Sequence, residues 1–462
     1  MSDLMQDPVS SWERRIPPTH LWPRSVQIAA VLVPAVILGI AVLAVDPVLV
    51  AAAAVGIGGV VLALVHPFLG VLAYLGCEYL RPMERLPVLG GLHLPRLIAA
   101  CALLGWLARR PRYVRAPENV VMFSLLAVML AATPFAHWRS HALLATVDFG
   151  KLVILYFLIA NLANTERKYR LLVWSMLLLC AFLSIEQLLL YRSAQGGTIV
   201  RVGSRSGGFL GEDGDFALAL LVVLPFAFFW IGREPSRFLR TVALLVTGLL
   251  VASIVATGSR GAALGLLAEL AAFWLLSPRK VLGLVVALAI GAAWWTLSPP
   301  QYQERIRSIS TYSTDPASMQ RMAAWKAAAA MFRDNPLVGV GPDNFYYAFV
   351  DRYGGTYQSD RTVHNVYLQA ASEMGILGLG CLFALAGVIA VRARRLRKTL
   401  EDDGQRRGWQ YGVALALPAS LLGFMVHGAF QTPLYYPHIY MLAALGVGLA
   451  ALQSRPALEE RP

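Results

Sequence analysis

The sequence predicts an all-α, polytopic membrane protein of about 12–14 transmembrane helices with a large, partly helical extracytoplasmic loop. Three observations predict it. Hydrophobic residues make up 57% of the 462 positions and charged residues 15%, with a mean hydropathy of +0.58. An average soluble protein carries roughly 25% charged residues. The apolar residues fall into long runs of spanning length, about 20 residues each. The net charge of +13 sits mainly in short segments between those runs, where Lys and Arg orient a membrane protein rather than bind nucleic acid. A soluble globular enzyme and a disordered chain are excluded. So is a disulfide-stapled domain, because Cys77, Cys101, Cys180 and Cys381 all lie inside apolar runs.

Fourteen candidate spans follow in order: 25–45, 47–65, 67–80, 94–108, 118–134, 149–163, 170–191, 215–232, 239–257, 260–276, 281–297, 364–391, 409–430 and 434–452. The third is short, and the pair 47–80 is the weakest of the set. The first is followed directly by further apolar runs and lacks a cleavage site, so it reads as a span and not as a signal. This divides the chain into a first bundle over 1–297 with about eleven spans, a loop over 298–363, and C-terminal transmembrane helices over 364–462.

Alternating from a cytoplasmic N-terminus puts most Lys and Arg inside, including the basic segments 109–115 and 392–407. Both termini then lie in the cytoplasm. Two segments lie outside: 192–214 and the 66-residue stretch 298–363. A loop that long is usually functional. This one contains a helix, because Asp315–Pro316 is a start signal, ASMQRMAAWKAAAAMFRD (317–334) is rich in helix formers, and Asn335–Pro336 is a stop. Met319, Met322, Met331 and Phe332 give it an apolar face for the membrane surface or the bundle. The segment 135–148 reads as a second interfacial helix.

Charged groups at membrane level are costly and call for a reason. Arg201 and Arg205 stand in the glycine-rich stretch VRVGSRSGGFLG, Arg260 in ATGSRGAALG at the mouth of the tenth span, and His364 at the outer start of the twelfth. Arg321 joins them if the loop helix folds over the bundle. Guanidinium forks bind phosphate oxygens in a bidentate way. Glycine beside them lets phosphate approach the backbone, and a helix N-terminus adds N–H donors and the positive end of its dipole. Arg260–Gly261 at a helix start combines all three. A histidine, with an ordinary pKa of about 6.5, accepts a proton near neutral pH. The set suits a phosphate leaving group and an acceptor hydroxyl. Each residue also has a plainer role: an arginine at a helix mouth snorkels to headgroups, and a histidine at a helix start caps it.

The other ionisable groups have structural readings. His427 and His438 read as packing or interface groups, His66 faces inside, and His93, His137 and His141 have no obvious partner. Glu186 and Glu269 read as ion-pair members within spans. Glu373 lies too deep in its helix to touch His364. Asp213 and Asp215 cap the eighth span or order the loop arginines. No paired histidines or carboxylates suggest a metal.

Three stretches taken in order resemble the O-antigen ligase and O-antigen polymerase superfamily of bacterial membrane glycosyltransferases: TGSRGAALGLL (257–267), QRMAAWKAAAAMFRDNPLVGVGPDNF (320–345) and HNVYLQAASEMGILGLG (364–380). The resemblance spans about a quarter of the chain and does not separate ligase from polymerase. It implies a GT-C-like fold in the bacterial inner membrane with a periplasmic active site. It implies a donor glycan on undecaprenyl diphosphate, an acceptor hydroxyl on lipid A–core (ligase) or on another repeat unit (polymerase), no metal and no cofactor. Arg260 and Arg321 would hold the diphosphate, Arg205 and less surely Arg201 would assist from the smaller loop, and His364 would be the base. Fourteen spans exceed the twelve of a typical ligase, and GEDGD stands where many relatives carry asparagine. Of the two branches, ligase is the expectation. A lipid-linked oligosaccharide flippase is the rival from another class, and the sequence shows neither the internal repeats nor the interrupted helices that mark transporters.

Overall fold

The computed structural model describes residues 47–85, 94–110, 113–194, 203–204, 208–276, 281, 291, 316–356 and 362–454. The expected spans 25–45 and 281–297, the capping residue Asp315, and Arg201 and Arg205 lie outside them, residues 281 and 291 apart. The chain separates into compact units at residue 58. Of the first, residues 47–58 are described, as the start of one helix; the contacts below belong to residues 59–462.

The described residues are helical, with no strand. In chain order the helices are α1 (Pro47–Val65), α2 (Pro67–Leu80), α3 (Leu94–Leu107), α4 (Pro117–Ala132), α5 (Arg139–Leu162), α6 (Glu166–Ala194) and α7 (Asp213–Trp230). They continue with α8 (Arg237–Ala256), α9 (Arg260–Leu276), α10 (Pro316–Asp334), α11 (Phe345–Arg352), α12 (Val366–Asp402), α13 (Trp409–Gly428) and α14 (His438–Gln453). Seven are long and apolar enough to cross a membrane: α4 (with the turn that follows it), α5, α6, α7, α8, α12 and α13. Shorter apolar helices, α2, α3 and α14 among them, add to these. The protein is a polytopic membrane protein, as composition and run length predicted.

Prolines set many of the starts. Pro47, Pro67, Pro117 and Pro316 each open a helix, where a missing N–H costs nothing. The C-terminal span begins at His438 and not at 434, because Pro433 and Pro437 hold the intervening residues in a short 3-10 turn. The expected interfacial helix at 135–148 is not a separate element. Pro134 ends the preceding helical run, and from Arg139 onward nothing interrupts α5 before Leu162, so interfacial and spanning segments are continuous.

The centre is built on α13, which packs against α7, α9, α12 and α14. Helices α7 and α14 are buried on nearly all sides, whereas α4, α8 and α12 present Phe123, Leu245 and Phe383 outward, as lipid-facing helices do. Small residues bring α9 and α13 close. A β-carbon on Gly265 would stand 3.1 Å from Cβ of His427, and one on Gly423 would strike the Glu269 carboxylate. Glu269 therefore packs against α13, fully buried, and among the described residues neither of its oxygens has a hydrogen-bonding partner and the arginine pairing expected for it is not found.

Buried ion pairs gather at one end of the bundle. Arg392 grips Glu118 with two bonds of 2.7 and 2.6 Å, and Glu118 is 1% exposed. Arg170 reaches Glu234 at 2.6 Å, Trp174 donates to the same carboxylate, and Trp409 donates to Glu166. Arg392 and Arg170 thus balance buried carboxylates as well as contributing to the positive bias of their segments. The opposite helix ends carry the candidate site.

Helix α12 contains a break that the sequence did not announce. Gly375 has φ 64° and ψ −158°, a conformation essentially confined to glycine. The turn after α10 fills the gap: Val340 N–H donates to Ser372 O at 2.8 Å, Gly341 N–H to Glu373 O at 2.9 Å, and Ile376 N–H to Pro336 O at 2.8 Å. The absence of interrupted helices, used against a transporter, is therefore corrected. Here the broken backbone is satisfied by another segment of the chain, as interruptions inside membrane proteins require.

Candidate active site

Three elements meet at the far end of α13. The first is the start of α9. Ser259 caps it by accepting from Ala262 N–H at 3.3 Å, after a turn in which Gly258 has φ 66°. Arg260 is half-buried. The backbone of Gly261 lies against His427, where an added β-carbon would come within 2.9 Å of both His427 Nδ1 and Phe430 Cβ. His427 is wholly buried, and its Nε2 lies 2.8 Å from Gly214 O at the start of α7. A carbonyl only accepts, so Nε2 carries the proton.

The second element is the segment leading into α12. Asn365, not His364, is the cap: its side-chain oxygen accepts from the Tyr367 and Leu368 N–H groups at 3.0 Å. His364 takes a left-handed φ of 49°, and its Nε2 sits 3.3 Å from Thr362 Oγ1. The plainer role of a capping histidine is thus filled by its neighbour. The first turn of α12 packs on the end of α13. Val366 lies where a β-carbon on Gly428 would come within 3.1 Å, and Tyr367 OH donates to Met425 O at 2.7 Å.

The third element is α10, which packs along α12 through a small core of Ala324, Ala328 and Met331. Trp325 Nε1 donates to Val363 O at 2.9 Å and so pins the residue before His364. Arg321, one turn earlier on the same helix, is half-buried and within electrostatic range of His427, as is Asp213. The start of α9, Arg321 of α10 and the first turn of α12 therefore meet at the His427–Gly428 end of α13. The flanks of the smaller loop arrive there too. Ser204 N–H bonds Leu210 O at 3.0 Å, and Gly214 follows directly.

Several neighbours were not foreseen. Arg81, in a left-handed conformation at the end of α2, lays its guanidinium over Gly208 and pairs with Glu84. His427, expected to be a packing residue, packs against the start of α9, lies within electrostatic range of Arg321, and precedes Gly428, on which the first turn of α12 rests. His137 and His141 have partners after all, Asp351 at 2.7 Å and Asp343 at 2.9 Å. Asp215 accepts from Tyr436 OH at 3.1 Å. Glu373, though remote from His364 along its helix, accepts from Tyr435 OH at 2.6 Å and from Asp343 N–H at 3.2 Å. Burial pushes the Tyr435 hydroxyl well above its ordinary pKa and the adjacent Glu373 carboxylate pushes it further, so it stays a donor. Burial likewise raises the Asp343 carboxyl, with His141 opposing. Half of the Asp343 side chain still reaches water, since it stands in an open recess.

Residues 245–383 match the O-antigen ligase family model. The match runs from within α8 to within α12. It includes Arg260, Arg321, His364, Asp343 and Glu373, and it contains all three motifs that carried the resemblance. It supports the O-antigen ligase and polymerase superfamily, whose members are glycosyltransferase-like enzymes, and with the spanning helices it marks a multi-pass bacterial membrane protein. His427, Arg81, Arg201 and Arg205 fall outside the matched segment. No curated protein matches the chain.

Proposed function

We propose that the protein is an O-antigen ligase, moving a glycan from undecaprenyl diphosphate to a hydroxyl on lipid A–core at the periplasmic face of the inner membrane, with both termini cytoplasmic. The observation that carries this reading is the meeting of the start of α9 and the approach to α12 at one end of α13, both within the O-antigen ligase match. Arg260 and Arg321, with Arg205 and Arg201 from the smaller loop, hold the diphosphate. His364 takes the acceptor proton.

The step balances without a metal. The acceptor O–H gives its proton to His364, the oxygen bonds to the anomeric carbon from the face opposite the phosphate, and the carbon–oxygen bond to diphosphate breaks. The electron pair leaves with undecaprenyl diphosphate, where guanidinium groups offset the growing charge. His427 positions the site: its Nε2–H is committed to Gly214, and its ring holds α7, α9 and α13 in register.

The test is deletion of the gene and complementation with wild type or His364→Ala, with surface polysaccharide resolved on a gel. Loss of glycan from core with accumulation of lipid-linked polymer, unrestored by His364→Ala at normal membrane abundance, is the expected result. Single repeat units still attached to core identify a polymerase instead. Undecaprenyl intermediates trapped inside identify a flippase. Full restoration by His364→Ala removes the base.

A further inference from the structure

A cavity of about 380 Å³ opens beside the His364 segment, with Thr362 and Val363 in its wall. Its size falls in the range of small-molecule sites, roughly 300–1,000 Å³. Neither Arg260 nor Arg321 lines it. Among the described residues no lysine or arginine lines it at all; its polar groups include Asp343, Glu373, Tyr435 and His141. Glu373 is 3% exposed, yet no lysine or arginine among the described residues pairs with it. Tyr435 OH and Asp343 N–H both serve its Oε2. A buried carboxylate without a cation needs hydrogen-bond donors around it. Tyr346 and Tyr347 supply aromatic walls.

We propose that this cavity binds the acceptor's sugar, and that Asp343 and Glu373 select a neutral or amino sugar over an acidic one. Sugar hydroxyls and ammonium groups donate to the carboxyl oxygens of both residues, whereas a sugar carboxylate is repelled by the half-exposed Asp343 carboxylate. Assignment to the acceptor rests on the functional reading above. There the diphosphate lies at Arg260 and Arg321 and His364 stands between leaving group and acceptor, so the acceptor hydroxyl enters from the side that neither of these two arginines lines. The cavity touches His364's own segment on that side. Asp343 and Glu373 are specificity residues here, not proton carriers.

The test measures direct binding of glucose, glucosamine and glucuronate to the detergent-solubilised full-length protein by saturation-transfer NMR. Glucose and glucosamine are expected to bind at least about tenfold more tightly than glucuronate. Asp343→Asn, whose side chain tolerates the left-handed backbone at 343 (φ 54°), should weaken glucosamine binding by about tenfold and narrow the discrimination. Glu373→Gln is the second variant and should act in the same direction. Equal binding of the three sugars, no binding of any, or unchanged discrimination in both variants overturns the proposal. In transfer assays glucosamine should compete with the core acceptor fraction; competition with the lipid-linked donor overturns the acceptor assignment. Because binding is read without turnover, a cavity that discriminates sugars in a protein whose deletion leaves glycan attached to core would sink the ligase reading and leave the subsite standing. The converse pattern would sink only the subsite.

Discussion

Replacing Gly375 with alanine tests whether the break in α12 organises the site. Two costs add. The backbone at φ 64°, ψ −158° is strained for any side chain by about 1–3 kcal/mol. The new β-carbon would also lie 2.3 Å from the carbonyl carbon and oxygen of Leu337, a clash with main chain that no rotamer relieves. Relief requires either straightening α12 or expelling the 336–341 turn, and each forfeits the bonds from Val340, Gly341 and Ile376. A buried backbone bond left unmade costs about 1–3 kcal/mol. Three such bonds come to about 3–9 kcal/mol, a large part of a typical stability margin. The expected outcome is a markedly lower unfolding temperature in detergent and loss of glycan transfer, because Asp343 and the Glu373 carboxylate depend on that turn. Wild-type thermal stability in Gly375→Ala would refute the coupling of loop and helix.

Other perturbations separate charge, shape and protonation. Gly261→Ala pushes α9 away from His427 and Phe430; overpacking costs about 1–3 kcal/mol, and transfer should fall at least about tenfold while membrane abundance holds. Arg260→Lys keeps the charge and loses the fork, so initial transfer rates should drop by about tenfold or more; wild-type rates would exclude bidentate diphosphate binding. Asp343 supplies the pH test. Its pKa is raised in the folded protein, so the ionised form is disfavoured by folding, and the stability it contributes is full below the ordinary carboxylate value of about 3.9 and is lost as pH rises through its folded pKa. Asp343→Asn should therefore unfold no earlier than wild type at pH 7, with the comparison turning against the variant on acidification. The effect is small, because half the side chain reaches water. A clear loss at neutral pH, measured by differential scanning fluorimetry, would reverse the sign.

The elements carried by apolar run length and by proline were legible in the sequence. Helices α7, α8 and α10 start and end within a few residues of their expected limits, because caps, prolines and composition are local signals. What stayed hidden is non-local. Nothing near Gly375 distinguishes it from the helical glycines at 378 and 380; only the arrival of the 336–341 turn, more than thirty residues earlier in the chain, makes its conformation necessary. His427 reads as one more histidine near a helix end until α7 and α9 are packed on it. The Asp343, Glu373 and Tyr435 cluster joins three separate segments, and no spacing within any one of them signals it. Arg260 and His364 stand out in the sequence because each brings its own local context of glycine, helix start and adjacent loop.

The division of charge around His364 connects fold to chemistry. An enzyme that expels a diphosphate needs cations where charge grows, and cations placed at the acceptor hydroxyl would also draw phosphate there. The elements that reach the two places differ in origin. The arginine of α9 and the arginine of α10 approach the end of α13, while α5, the 341–344 turn and the 433–436 turn bring His141, Asp343 and Tyr435 to the other cavity. The break in α12 is what lets one helix serve both. Its first segment begins at Val366, just after His364, and ends at Glu373, and the turn docked on the break carries Asp343 to the same wall. Straightening that helix would displace His364 and the carboxyl groups of Asp343 and Glu373 together, so a variant that loses transfer without losing sugar binding, or the reverse, would show that the two halves are independent.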